Sequence, residues 1–111
     1  MERREQTRYG VRALVNFEWT DHGVSKQGQG ITRDISPKGM FIYSDVTPPA
    51  KADLQVDVSF REVGAVSTNL QMRALGLVIR VEPPAALGVG KGFAILNRSY
   101  HLHNGVNVVQ D

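Results

Sequence analysis

The sequence contains no cysteine, so disulfide bonds, thiolate metal ligands and cysteine nucleophiles are all excluded. Aromatic residues make up only 7% of the chain, which leaves few side chains on which nucleic-acid bases could stack. No apolar run approaches the ~20 residues that a membrane-spanning helix needs. The charged N-terminus is not followed by the apolar segment of a signal peptide. We therefore predict a cytoplasmic protein with no membrane segment in this chain.

Charge is nearly balanced but unevenly distributed along the chain. Thirteen Lys and Arg residues oppose eleven Asp and Glu residues, and this formal net charge of +2 does not by itself indicate a nucleic-acid-binding protein. The first dozen residues nevertheless contain four arginines, which are Arg3, Arg4, Arg8 and Arg12. Clustered arginines attract phosphate groups or an acidic surface, so the N-terminus is predicted to bind an anion.

The remaining chain has the length and composition of one globular domain, with 41% hydrophobic residues among 111. Apolar residues occupy every second position near its start, at Val11, Ala13, Val15, Phe17 and Trp19. This period of two predicts a half-buried first strand. Similar segments bounded by turn residues predict five more strands, at residues 24–35, 39–44, 54–60, 70–81 and 92–96. The absence of a convincing helical pattern in the first hundred positions favours a small β-barrel.

Three segments fall outside this regular pattern. Residues 1–10 have neither strand nor helix periodicity and are predicted to be a flexible arm ahead of a barrel over residues 11–98. The apolar phase of the fifth strand shifts near Leu75-Gly76, which predicts a bulge or a barrel corner. In the tail, residues 99–111, the pair Asn104-Gly105 favours a hairpin turn, and a short terminal helix is the alternative.

Two short motifs carry the chemistry. Arg4 and Arg8 are separated by three residues, and each guanidinium offers five donors in a rigid fork that suits phosphate oxygens or the O6/N7 edge of guanine. In Asp34-x-Ser36-x-x-Gly39, the carboxylate can accept hydrogen bonds from N1 and N2 of guanine, and the hydroxyl can donate to an oxygen. The glycine would let the backbone approach a ligand closely. A solvated basic tail and an ordinary turn are the alternatives for each motif alone.

Taken together, these motifs resemble those of the PilZ domain, a family of bacterial receptors for cyclic di-GMP. Arg4 and Arg8 match the family's first motif, while Asp34, Ser36 and Gly39 match its second. The resemblance covers nearly the whole chain, from Glu2 to Leu96. It implies a six-stranded antiparallel barrel of the split-barrel type, with the arginine arm folding over cyclic di-GMP at the barrel's outer surface. PilZ domains often end in a helix, whereas residues 99–111 have poor helical periodicity.

The resemblance implies a non-enzymatic second-messenger sensor whose ligand is cyclic di-GMP and which has no cofactor. It would transmit the signal by ordering the arm against a protein partner or a fused effector domain. Arg3, Arg33 and Lys38 are candidate accessory cations of the site, although they match no residue of either motif. The alternatives are a PilZ-like adaptor that binds proteins without nucleotide, and a small barrel that binds single-stranded nucleic acid, which the few aromatic residues disfavour.

A metal site is not predicted. His101 and His103 would share one face of a strand, but a third ligand is not evident in the sequence, so surface histidines are the favoured interpretation. No arrangement of serine, histidine and aspartate, and no phosphate-binding glycine loop, has a convincing context.

Overall fold

The computed structural model describes residues 10, 12–60, 62–63, 66–67, 70–83 and 91–104. These residues form strands and connecting turns, without a helix. The strands are β1 (Leu14–Asp21), β2 (Val24–Ser36), β3 (Gly39–Tyr43), β4 (Asp53–Ser59), β5 (Glu62–Val63), β6 (Val66–Ser67), β7 (Leu70–Glu82) and β8 (Gly92–Asn104). Within the described part of the chain, no helix is long and apolar enough to cross a membrane.

Six of the strands close into an antiparallel barrel in the order β1-β2-β3-β8-β7-β4, which confirms the predicted fold class. Closure depends on β1, which pairs with β2 along one side and with β4 along the other, from Leu14↔Ser59 to Glu18↔Gln55. A closed barrel leaves few unpaired strand edges, so a chain of this size can satisfy its backbone hydrogen bonds internally.

The core follows the alternation that the sequence predicts. In and just before β1, the buried residues are Ala13, Val15, Phe17 and Trp19, whereas Leu14 between them is 61% exposed. The inward-facing residues of the other strands complete the core, and they are Met40, Ile42, Leu54, Val56, Val58, Met72, Ala74, Val78, Phe93 and Ile95. Within this core the Phe17 ring stacks on Trp19 and meets Phe93 edge-on.

The last strand is longer than predicted. We expected it to end at Leu96, with a tail of uncertain structure from residue 99, but β8 continues to Asn104. Its second half pairs with the start of β7, from Leu75↔Ser99 to Leu70↔Asn104. The short-helix alternative is therefore wrong for residues 99–104. Gly105 and the rest of the predicted hairpin lie outside the described residues, as do residues 105–111 as a whole.

The segment between β4 and β7, where the sequence predicts no strand, contains a small two-stranded ribbon. In it, β5 pairs with β6 through Glu62↔Ser67 and Val63↔Val66. This ribbon forms its own sheet, separate from the barrel.

The bulge predicted at Leu75-Gly76 is confirmed, because the β7–β8 register shifts there. Its extra residue is on the partner strand: Leu75 pairs with Ser99 and Gly76 with Asn97, so Arg98 is left over. Burial along β7 keeps one phase through the bulge, with Met72, Ala74, Gly76 and Val78 all buried. The apolar residues that suggested a phase change face outward, and one of them, Leu75, is 49% exposed.

Candidate functional site

The turn between β2 and β3 carries the second motif. β2 ends at Ser36 and β3 begins at Gly39, so Pro37 and Lys38 form a two-residue turn. The Ser36 hydroxyl donates to the carbonyl oxygen of Gly39 at 3.4 Å, and the residue is only 8% exposed. Ser36 therefore closes the turn from within, and its hydroxyl is directed at the protein backbone.

Gly39 has a packing role in the fold, which is separate from the ligand contact that the sequence predicts. Its backbone is not in the left-handed region, which among the described residues is occupied only by His22, Gly23 and Lys51. Instead, a Cβ at Gly39 would overlap the carbonyl oxygen of Ile95 on β8. The glycine thus lets β3 and β8 approach each other, and its contact with a ligand stays a prediction.

Asn97 on β8 fixes this turn from the side. Its backbone N–H donates to the Lys38 carbonyl at 2.6 Å, and its side-chain Nδ2 donates to the Pro37 carbonyl at 3.1 Å. The Asn97 Oδ1 is buried and has no hydrogen-bond partner among the described residues. Sequence reasoning missed Asn97 because nothing in its local pattern connects it to a turn about sixty residues earlier.

Asp34 lies on the outer face of the barrel, and a β-bulge places Arg33 beside it. Thr32 pairs with Ile42 and Asp34 with Phe41, so Arg33 is the extra residue of β2. The Arg33 guanidinium lies 4.1 Å above the Phe41 ring, which stacks a cation on an aromatic face. Its Nε donates to Asp34 Oδ2 at 2.8 Å. The predicted accessory residue is therefore in direct contact with the predicted guanine-binding carboxylate.

The charges of this pair stabilise each other. The hydrogen bond to Asp34 is the main cause that raises the pKa of Arg33, and it outweighs the partial burial that would lower it. The Tyr43 side chain raises the pKa of Arg33 further. The Asp34 side chain is 16% exposed and that of Arg33 is 39% exposed. The site thus presents a fixed carboxylate of limited accessibility, flanked by a guanidinium that solvent can still reach.

The N-terminal segment enters the barrel close to this carboxylate. Thr32, which is fully buried, donates its backbone N–H to the Ala13 carbonyl at 3.0 Å. In return, its Oγ1 accepts from the backbone N–H of Ala13 at 2.9 Å. Thr32 is two residues before Asp34, so these two bonds fix the entry of the chain beside the site.

Arg3, Arg4 and Arg8 lie outside the described residues, so their predicted contacts stay predictions. The length of the chain can still be compared with the distance it must span. Arg8 is five residues before Ala13, and five residues cover at most about 17 Å when fully extended. This reach, measured from the fixed entry point at Ala13, is about the length of the five-residue strand β3.

His101 and His103 lie on one face of β8, as predicted, with ring centroids 5.7 Å apart. The described residues contain no group of three His, Cys, Asp or Glu side chains that could hold a metal ion. Both histidines are exposed, so surface histidines remain the favoured interpretation.

The fold and the turn define a class of small antiparallel β-barrel with a polar turn on its outer face. The family model of the PilZ domain matches residues 2–101, and the chain therefore belongs to the PilZ domain family. PilZ domains bind cyclic di-GMP as a ligand and are generally non-enzymatic. A search among curated protein sequences gives no significant match.

One solved structure shares the fold. It is that of the inhibitor of motility from Bacillus subtilis (MotI/DgrA), to which the chain is similar with a TM-score of 0.70 and 12% sequence identity. The similarity covers 91% of this chain but 45% of the Bacillus protein, so the chain spans less than half the length of that relative. At this level of identity the comparison shows the fold alone.

Proposed function

We propose that this domain is a cyclic di-GMP sensor that binds the nucleotide between its N-terminal arginines and the β2–β3 face. The observation that carries the proposal is the position of Asp34. It lies on the outer face, contacts the Arg33 guanidinium at 2.8 Å, and is two residues from the Thr32–Ala13 hydrogen bonds. The proposed acceptor for guanine is therefore on β2, the strand to which the entry of the arginine-bearing segment is hydrogen-bonded.

The chemistry of the ligand fits these groups. Cyclic di-GMP has two guanines and two phosphates, and a carboxylate can accept from guanine N1 and N2. In this proposal Asp34 binds a guanine, while Arg4 and Arg8 donate to phosphate oxygens or to a guanine edge. Ser36 and Gly39 also shape the turn, because the hydroxyl donates to the Gly39 carbonyl and the glycine is packed against Ile95. Their contacts with the ligand stay predictions.

Binding has to offset the ordering of the arm. Fixing a residue's backbone costs roughly 1–2 kcal/mol, whereas a hydrogen bond to a charged group contributes about 1.5–3 kcal/mol. Two arginine forks that each make two such bonds offset the ordering of several residues. The ordered arm then presents a new surface to a partner or a fused domain, which is how a sensor of this kind would transmit the signal.

The experiment is a calorimetric titration of the protein with cyclic di-GMP, and with cyclic di-AMP as the control for guanine selectivity. We expect heat and an increase in melting temperature with cyclic di-GMP and neither effect with cyclic di-AMP. The absence of both effects at roughly 100 μM cyclic di-GMP, well above a micromolar Kd, would reject the sensor and favour the adaptor, which binds proteins without nucleotide. Equal effects of both nucleotides would reject the role of Asp34.

The nature of the partner also belongs to this proposal. The Bacillus protein that shares the fold is named as an inhibitor of motility, which is a regulatory role. A domain that binds a nucleotide without catalysis needs a second protein or domain to produce an effect. We therefore infer that the protein acts on a protein partner or a fused effector domain in the bacterial cytoplasm.

A further inference from the structure

Ion pairing divides the cations of the barrel into two groups. Most of those in the described ranges contact an acidic side chain, in the pairs Lys26–Asp21, Arg33–Asp34, Arg73–Asp57, Arg80–Glu82 and Arg98–Asp53. In contrast, Arg12, Lys51 and Lys91 form no ion pair with any described residue. Such unpaired cations are the groups of a barrel surface that are available to an external anion.

Two of these three cations line the same cleft. It has a volume of about 290 Å³ and is lined by Arg12, Gln29, Gly30, Ile31, Tyr43, Ser44, Asp45 and Lys91. The backbone on both sides of the cleft is fixed. Arg12 precedes Ala13, which Thr32 holds by two hydrogen bonds, and the Lys91 carbonyl accepts from the backbone N–H of Ser44 at 2.9 Å.

The cleft continues the site that contains Asp34. Tyr43 lines the cleft, and its ring meets edge-on the Phe41 ring on which Arg33 stacks, so these two aromatic side chains join the two regions. Along β2, the cleft residues Gln29, Gly30 and Ile31 come just before Thr32, Arg33 and Asp34. A ligand that lies along the outer face of β2 and β3 from Asp34 would therefore reach Arg12 and Lys91.

We propose that Arg12 and Lys91 form a phosphate subsite in this cleft, at the end of the site opposite the β2–β3 turn. The inference rests on the proposed function, because the phosphate would be one of those of cyclic di-GMP. The cleft has two cations and one acid, Asp45, which is exposed and has no ion pair with the described residues. Its net charge of one positive unit opposes the single negative charge of a phosphodiester group.

The first test compares affinities for cyclic di-GMP by calorimetry. We expect the double variant Arg12→Gln/Lys91→Gln to weaken binding about tenfold, since charge-assisted hydrogen bonds to the phosphate are lost. Asp45→Asn, in contrast, should strengthen binding by about two- to threefold because it removes a repulsive charge. Lys51→Gln removes an equally unpaired cation outside the cleft and is the matched control, with a change of less than about twofold. Melting curves establish that each variant is folded.

A second measurement separates failure of the subsite from failure of the sensor. The backbone amide resonances of the wild-type protein are followed during titration with inorganic pyrophosphate alone, and then with cyclic di-GMP. We expect both ligands to shift the amides of Gly30, Ser44 and Lys91 in the wild-type protein. In the double variant, pyrophosphate should no longer shift the amides of Gly30 and Ser44.

The outcomes of the two tests decide between distinct conclusions. If cyclic di-GMP does not bind but pyrophosphate shifts these amides, the sensor fails and the cleft remains an anion site for free phosphate compounds. If cyclic di-GMP binds and the double variant matches Lys51→Gln, the sensor stands and the subsite is rejected. Pyrophosphate shifts spread evenly over the basic surface would also reject the subsite.

Discussion

Arg33 and Asp34 are consecutive residues of one strand, yet both side chains lie on the outer face of the barrel and contact each other at 2.8 Å. Neighbours in a regular strand point to opposite faces. The bulge at Arg33 removes this restriction, because Thr32 pairs with Ile42 and the next pair is Asp34↔Phe41. The bulge thereby gives the carboxylate that we propose binds guanine a cation that orients it from the adjacent position.

Replacing Arg33 should therefore reduce base discrimination. We expect Arg33→Ala to lower the preference for cyclic di-GMP over cyclic di-IMP by about fivefold, the upper range for a partly exposed ion pair. Cyclic di-IMP lacks the exocyclic N2 group, so the ratio of the two affinities measures how well Asp34 is aligned with the base. Competition binding with both nucleotides gives this ratio.

The control for that variant is Arg73→Ala. Arg73 donates its Nε to Asp57 Oδ1 at 2.8 Å, in the same kind of contact, on β7 and away from the turn. It should leave both affinities unchanged. A discrimination ratio that is the same in Arg33→Ala and wild-type protein would show that Asp34 needs no support from its neighbour.

Asp34 itself should determine guanine selectivity. With Asp34→Ala we expect the preference for cyclic di-GMP over cyclic di-AMP to be lost, because the acceptor for guanine N1 and N2 is removed. The affinity for cyclic di-GMP should fall by about 10- to 150-fold, which corresponds to one charge-assisted interaction. Calorimetry with both nucleotides checks this, and a variant that still prefers the guanine nucleotide would refute the assignment.

The arginines of the first motif should contribute comparable amounts. We expect Arg8→Ala, and similarly Arg4→Ala, to weaken binding of cyclic di-GMP roughly 10- to 150-fold through the loss of a bidentate donor. Arg80→Ala is the control, since Arg80 is an exposed arginine paired with Glu82 on β7. If the arm variants bind as tightly as this control, the arm does not contact the phosphates, and the barrel cations alone bind them.

Gly39→Ala tests whether the motif glycine serves the barrel. The added Cβ would overlap the Ile95 carbonyl oxygen, a backbone atom that cannot rotate away. Overpacking of this kind costs about 1–3 kcal/mol of unfolding free energy, and we expect the melting temperature to fall by several degrees.

Gly10→Ala is the matched control for stability, because a Cβ at Gly10 meets no atom within 4 Å. Thermal denaturation followed by circular dichroism compares the two variants. If Gly39→Ala melts like wild-type protein but no longer binds nucleotide, the glycine contacts the ligand and our packing explanation is wrong.

Thr32→Val should loosen the entry of the N-terminal segment. Valine keeps the shape of the buried side chain but removes the Oγ1 that accepts from the Ala13 N–H, and an unsatisfied buried donor costs about 1–3 kcal/mol. We expect lower stability and faster amide hydrogen exchange at Ala13. Thr20→Val, at an exposed position on β1, is the control. Unchanged exchange at Ala13 would mean that the backbone bond from Thr32 is sufficient.

Local periodicity predicted the barrel well and the ends of its strands less well. The alternation from Ala13 to Trp19 is a property of neighbouring residues, and it appears unchanged as a buried stripe. The extension of β8 to Asn104 depends on pairing with β7, where exposed residues such as Tyr100 and Leu102 are aligned by backbone hydrogen bonds. Such pairing leaves little trace in the alternation of apolar residues.

The site was predicted as a set of residues, whereas its geometry was not. The motif led to Asp34, Ser36 and Gly39, but the use of Ser36 and Gly39 within the fold depends on contacts across the turn and with Ile95. The bulge at Arg33 arises from the register between two strands, which no single segment determines. Asn97 joins the turn only because β8 lies beside it.

The pairing of Ala13 with Thr32 also has a mechanical consequence. A tensile load on the chain ahead of Gly10 enters the barrel at Ala13, where two hydrogen bonds connect it to β2. Force is therefore passed through these bonds to the strand that carries Arg33 and Asp34, as well as along the chain into β1. A domain attached to this end would thus act on the proposed nucleotide site by pulling, without touching it.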